Sequence, residues 1–142
     1  MKQRIIYILM LLLILAVSYE RGIFKGITGS DERSENLSSA YENQISNIQV
    51  QGGGTVEKVL EDDTEGAAHQ RFILRISPDQ TVLIAHNIDL APRVENLKRG
   101  DRLEFYGEYE WNSKGGVVHW THRDPHKKHV DGWIIHDGKR YE

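Results

Sequence analysis

The sequence predicts a mainly β protein: a five-stranded Greek-key barrel with one short helix and a C-terminal β-hairpin, preceded by an N-terminal apolar helix. Three observations carry this. Five short segments between residues 54 and 121 place apolar residues at the period-two spacing of a strand. One apolar pattern of helical spacing interrupts them after the third segment. Asp137-Gly138, the strongest short-loop hairpin signal, separates two final β-prone runs.

The chain starts with Lys2 and Arg4 ahead of an uninterrupted apolar run, Ile5 to Val17. Spanning a bilayer upright takes about 20 residues, so the run fits a signal-peptide core better than a standard membrane helix. Ala16-Val17-Ser18 offers small residues for cleavage after Ser18, while the Leu and Ile content is equally that of an uncleaved anchor. Residues 1–19 are therefore expected to be a signal peptide or membrane anchor. The positive charge before the run favours an N-in orientation, with the remainder outside the cytoplasm. The expected location is the cell envelope, secreted, periplasmic or anchored, with the membrane a partner through the N-terminus.

Residues 20–51 read as a polar linker, with Gly22, Gly26 and Gly29 followed by Ser30, Asp31 and Glu32. Within it Ser34 to Ile48 is expected to form a short helix, with Leu37, Tyr41, Gln44, Ile45 and Ile48 on one face. Gly52-Gly53-Gly54 reads as a flexible lead-in to a β domain over residues 52–142. A phosphate loop is excluded there, because no Lys-Ser/Thr follows and the next element is a strand.

Strand one is expected from Gly54 to Leu60, followed by a polar turn, Glu61 to Gly66. His69 to Ile76 alternates, with Phe72, Leu74 and Ile76 on one face. Ser77-Pro78-Asp79-Gln80 turns the chain into a third strand, Thr81 to His86. Asp89 is expected to cap a short helix carrying Leu90, Val94 and Leu97 on one side, with Pro92 tolerated in its first turn. Arg102 to Glu110 then places Leu103, Phe105, Gly107 and Tyr109 inward. Asn112 to Gly116 loops into a fifth strand, Val117 to Thr121. The final hairpin is expected to set Trp133 against Tyr141.

Three strands, a short helix and two strands is the order of the OB-fold. The phrase Leu97-x-x-Gly100-Asp101-x-Leu103-x-Phe105-x-Gly107-Glu108 resembles the fourth strand of such barrels, and this likeness covers residues 54 to 121. The whole domain also resembles a family of small, functionally uncharacterised bacterial proteins, a domain of unknown function. The likeness lies in Gly54-Thr55-Val56, Asp62-Asp63-Thr64-Glu65-Gly66, His69-Gln70-Arg71-Phe72, Ala85 to Arg93, Gly107 to Asn112, and His119-Trp120-Thr121-His122. It implies kinship and names no activity.

The chain has no cysteine, which excludes a disulfide scaffold, a thiolate metal site, a catalytic thiol and a lipidated Cys. A net charge of −3 gives no global drive toward nucleic acid or anionic lipid. Five of the seven histidines fall between residues 119 and 136. His119, His122, His126 and His129, with oxygen from Asp124 or Asp131, are candidate ligands for Zn²⁺. On one strand His119 and His122 point to opposite faces, so such a site needs the chain to turn at Asp124-Pro125. The preferred reading of so nonspecific a tract is a solvated basic loop. A third reading has His69, His86 and His119 hydrogen-bonded within the barrel.

Val56-x-x-Val59-x-x-Asp62-Asp63-Thr64 resembles the opening of thermonuclease-type OB enzymes. The resemblance implies a carboxylate site for a hard cation such as Ca²⁺ at Asp63 and Asp89. The sequence departs from that pattern where Asp62 replaces a glycine, where no Arg occupies the strand before Asp89, and where Arg93 rather than Glu follows Pro92. Nucleic-acid binding by stacking is unsupported: the only aromatic of strands two and three, Phe72, has core phase, and Glu104 and Glu108 line the outer face of strand four. The expected function is an extracytoplasmic binding or interaction module, with a protein among the conceivable ligands. A metal-dependent hydrolase ranks second and a structural envelope protein third.

Overall fold

The computed structural model describes residues 31–142, so the signal peptide or anchor expected over residues 1–19 lies outside the described residues. The elements are α1 (Asp31–Glu42), β1 (Ile48–Val59), β2 (His69–Ser77), β3 (Gln80–Asn87), β4 (Arg102–Glu110), β5 (Val117–His119), β6 (Trp133–His136) and β7 (Lys139–Tyr141). Among the described residues no helix is long and apolar enough to cross a membrane.

The wall closes because β1 serves two partners. It pairs antiparallel with β4 from Ile48 to Thr55 and with β2 from Thr55 to Val59. β2 pairs antiparallel with β3, β3 runs parallel to β5, and β5 returns antiparallel to β4. The ring β1-β2-β3-β5-β4 is a closed five-stranded barrel, and closure removes the edges that invite pairing with other chains. β6 takes the part of β4's second edge that β5 leaves free, and β7 extends it.

β1 begins at Ile48 rather than Gly54, and the three glycines lie inside it rather than forming a flexible lead-in. Their role is close approach. A Cβ on Gly52 would sit 2.7 Å from the Phe105 ring, and one on Gly54 would sit 2.6 Å from the Arg75 carbonyl oxygen. A register shift between Val56 and Lys58 adds the local twist that a bulge provides.

The barrel interior holds Val50, Val56, Phe72, Leu74, Val82, Ile84, Leu103, Phe105, Tyr109 and Val118. The inward phases expected for β2 and β4 are those observed. α1 adds Leu37 and Ala40 to this core. It stops at Glu42, earlier than the apolar spacing suggested, because Gln44 adopts a left-handed backbone with φ 54°. The Ile45 amide then donates to the Ala40 carbonyl at 2.9 Å and the Gln44 amide to Tyr41 at 3.2 Å, which is a Schellman cap. Ile45 is left exposed and Ile48 belongs to β1.

The helix expected after Asp89 does not form: residues 88–100 are turns and irregular chain. Two buried side chains supply the backbone partners that a helix would have used. The Gln70 amide clamps Val94, donating to its carbonyl at 3.0 Å and accepting from its N–H at 2.9 Å. His86 Nε2 lies 3.0 Å from the Pro92 carbonyl, and Pro92 has no N–H to contribute to a helical ladder. Asn87 Oδ1 accepts from the amides of Asp89 and Leu90. Val94 is buried as its spacing suggested, whereas Leu90 is 47% exposed.

Because the Pro92 carbonyl only accepts, His86 carries its proton on Nε2 and accepts at Nδ1 from the Thr121 hydroxyl, 2.9 Å away. Burial is the main cause that lowers its pKa from 6.5 to about 4. Between those values the unfolded chain takes up a proton that the folded chain refuses, so stability is full above pH 6.5 and falls as pH drops toward 4. The loss attributable to this residue is about 3 kcal/mol. Urea unfolding at pH 7 and pH 4.5 should show a smaller pH dependence for His86→Gln than for the natural chain. Equal dependence in the two would remove His86 as the acid-sensitive group.

The terminal hairpin forms at Asp137-Gly138, with φ of 49° and 75° as a type I′ turn requires. The two-residue loop pairs His136 with Lys139, which sets Tyr141 opposite Ile134 rather than Trp133. Ile134 and Tyr141 are buried together. Trp133 instead faces outward, 6.2 Å from the Tyr106 ring, with the Arg140 guanidinium 4.9 Å over its centre. β5 ends at His119 because Trp120 takes a left-handed backbone with φ 54°.

Candidate functional site

Successive outward positions of β4 bring Glu108 and Glu110 to one face of the wall. Strand register then places Gln49 of β1 on one side of Glu108 and His119 of β5 on the other. His119 Nε2 is 3.6 Å from Glu108 Oε1 and 3.4 Å from Glu110 Oε1. All three donor atoms lie within 4.8 Å of one another. His119 Nε2 and Gln49 Oε1 are both shielded from water and make no hydrogen bond.

The loop after β5 covers part of this face. The Gly132 amide donates to the His122 carbonyl at 2.9 Å, drawing the loop closed at its base. His129 folds back over Trp120, rings parallel within 11° and centroids 4.1 Å apart. Its Nε2 is 2.7 Å from Glu108 Oε2 and its Nδ1 is 2.8 Å from the Val130 carbonyl oxygen. A carboxylate and a carbonyl both only accept, so this geometry favours protons on both ring nitrogens, the imidazolium form of His129. Burial alone would lower its pKa, but the Glu108 carboxylate and the Val130 carbonyl outweigh it and the net shift is upward. The cation rests on the face of an indole, a favourable placement.

Asp124 organises the loop that delivers His129. Its carboxylate accepts from the backbone amides of His126 at 2.9 Å, Lys128 at 2.7 Å and His129 at 2.8 Å. The Asp131 carboxylate in turn accepts from the Asp124 amide at 2.8 Å. The amide bonds, that of His126 foremost, hold the Asp124 carboxyl at about 2 against the opposing effect of burial. The His122 ring is buried and donates from Nδ1 to the Arg123 carbonyl at 2.8 Å. His126 is exposed. The structure thus brings His119 and His129 to a shared carboxylate, Glu108. His122, His126 and Asp124 have other partners or face solvent.

Asp63 and Asp89 secure a different region. Asp63 Oδ1 accepts from the Glu65 amide at 3.0 Å, and its backbone pairs with His69. Asp89 Oδ2 accepts from the Ala68 amide at 2.8 Å. Asp62 is ion-paired with Arg93, the residue that stands after Pro92. Among the described residues, the His, Asp and Glu donors close enough to share one ion are those of Glu108, Glu110 and His119. From the sequence, Glu108 is placed on the outer face of strand four and Glu110 is given no role. Their partnership with His119 depends on the hairpin register, which pairs Glu110 with Val117 and Glu108 with His119.

These features define a small closed-barrel protein with a hairpin extension and a half-buried Glu/His cluster on its outer wall. The chain belongs to the family described as "Protein of unknown function (DUF3465)", which matches residues 23–142. No curated protein matches it.

Proposed function

We propose that this protein is an extracytoplasmic binding module, an OB-type barrel held at or delivered through the cell envelope by its N-terminus. The strand order β1-β2-β3-β5-β4, with β3 parallel to β5, supports the OB and Greek-key reading. The observation that carries the binding reading is the outer wall of β1, β4 and β5. There His119 Nε2 and Gln49 Oε1 are sheltered with their hydrogen-bonding capacity unmet. An unmet buried polar group costs about 1–3 kcal/mol, and a ligand that satisfies it recovers that loss. A cleft of about 460 Å³ between α1 and β1 adjoins this wall through Gln49, Gln51 and Tyr106. By contrast, Asp63 and Asp89 each give an oxygen to a loop amide, and nothing in their surroundings favours a hydrolase.

The apolar run behind Lys2 and Arg4 supports export. Alkaline phosphatase fused after Glu142 is expected to be active in a bacterial host, because that enzyme matures only outside the cytoplasm. Strong activity of a cytoplasmic reporter fused at the same place would overturn the location.

A further inference from the structure

We infer that Glu108, Glu110 and His119 are the protein ligands of a divalent transition-metal site, with Zn²⁺ the cation that their chemistry fits. The inference rests on the reading of the β1–β4–β5 wall as the binding face and names its ligand.

Distance is the first argument. At 3.4 and 3.6 Å, His119 Nε2 makes no hydrogen bond to either glutamate. Zinc takes nitrogen and oxygen ligands at about 2.0–2.2 Å in a tetrahedron, whose ligand-to-ligand edges are then about 3.3–3.6 Å. The two observed separations are therefore edges of a zinc tetrahedron rather than failed hydrogen bonds. The remaining Glu108–Glu110 edge is within 4.8 Å, and the Glu110 side chain, 47% exposed, is free to swing and shorten it.

Charge is the second argument. Two carboxylates on successive outward positions of one strand repel each other. His129 Nε2 lies 2.7 Å from Glu108 Oε2, so the oxygen left facing His119 and Glu110 is Oε1. A bound divalent cation supplies positive charge there. A ligating carboxylate whose second oxygen is held by a hydrogen bond is the usual outer-shell arrangement of metal sites. All three ligands stand on paired strands, so their backbone spacing is fixed before any ion arrives.

The donor set selects the ion. One imidazole and two carboxylates suit zinc, whereas Ca²⁺ requires 6–8 oxygen ligands and finds too few here. Three protein ligands leave a fourth tetrahedral position open to water or to a ligand from outside.

The test is titration calorimetry of the full chain, tag-free in detergent, with Zn²⁺ and separately with Ca²⁺. One equivalent of Zn²⁺ should bind with Kd below about 10 μM, more tightly than Ca²⁺. His119→Gln and Glu108→Gln should each weaken it at least tenfold. His126→Ala, an exposed change in the neighbouring loop, should leave it unaltered. Zn²⁺ should also raise the thermal midpoint of the natural chain and not that of His119→Gln. If Glu108→Gln fails to fold, Glu110→Gln at an exposed side chain carries the same expectation. Zn²⁺ binding weaker than about 10 μM, a preference for Ca²⁺, or equal affinity in the natural chain and His119→Gln would overturn the site. Loss of binding in His126→Ala as large as in His119→Gln would move the ligands to the loop and overturn it too. Each of those results leaves export, tested by the fusion, standing by itself.

Discussion

A chain beginning at Gln51 is expected to lose its cooperative unfolding transition, whereas one beginning at Asp31 keeps it. The shorter chain lacks Leu37, Ala40 and Val50, all buried in the core. It also lacks Ile48, Gln49 and Val50 of β1, whose ladder partners are Tyr109, Glu108 and Gly107. Two further ties go with them: the Asn47 amide donates to the Tyr109 carbonyl at 2.9 Å, and the Trp111 amide donates to Ser46 Oγ at 2.9 Å. The barrel would open between β1 and the second half of β4. Emptying the Leu37 site alone costs about 2–5 kcal/mol, and losing Val50 adds about 1.5–3 kcal/mol of burial. Together they match much of the roughly 5–15 kcal/mol that holds a domain folded. Thermal melts followed by near-ultraviolet circular dichroism decide the matter. A cooperative melt at the same midpoint in both chains would show that α1 and the start of β1 contribute nothing to stability.

This boundary is where the sequence was hardest to interpret, and the reason is physical. Ile48-Gln49-Val50-Gln51 does alternate, but three glycines follow, and glycine offers no side chain from which a face can be assigned. What requires Gly52 and Gly54 is the ring of Phe105 and the backbone of Arg75, both distant in sequence. β2 and β4 were legible because each turns one face to the core, so period two appears directly in the residue types. The segment from residue 88 to 100 misled for the opposite reason. Its helical spacing is real and Val94 is buried, yet Gln70, 24 residues earlier, takes both backbone groups of Val94. A side chain reaching from another strand has no local signature.

The candidate site was legible only in part. Histidine density drew attention to residues 119–129, and His119 and His129 do meet a common carboxylate. Density cannot say which carboxylate. Glu108 and Glu110 look like any solvated pair on an outer strand face until the β4–β5 register sets His119 beside them. Asp124 looked like an oxygen donor for an ion, but amides within five residues of it claim its carboxylate first. That is the ordinary behaviour of a short acidic side chain at a turn.

Phe105→Ala is expected to cost about 3–5 kcal/mol. Phe105 is fully buried at 0% exposure. It lies between two ladder neighbours, Gly52 on β1 and Ile134 on β6. Gly52 has no side chain with which to fill the space, and the ring stands where its Cβ would otherwise come within 2.7 Å. Truncation therefore leaves a cavity with a bare backbone on one side. The strands around it cannot move in to close it, because β4 is hydrogen-bonded along both edges at this point. A cavity that cannot collapse places the cost toward the upper part of the range. Arg102→Ala, an exposed position on the same strand, should change stability by no more than about 0.5 kcal/mol. Urea unfolding at constant m value measures both. A loss below about 1 kcal/mol for Phe105→Ala would mean that β4 turns its other face inward, since a one-residue slip exchanges every side chain between core and solvent.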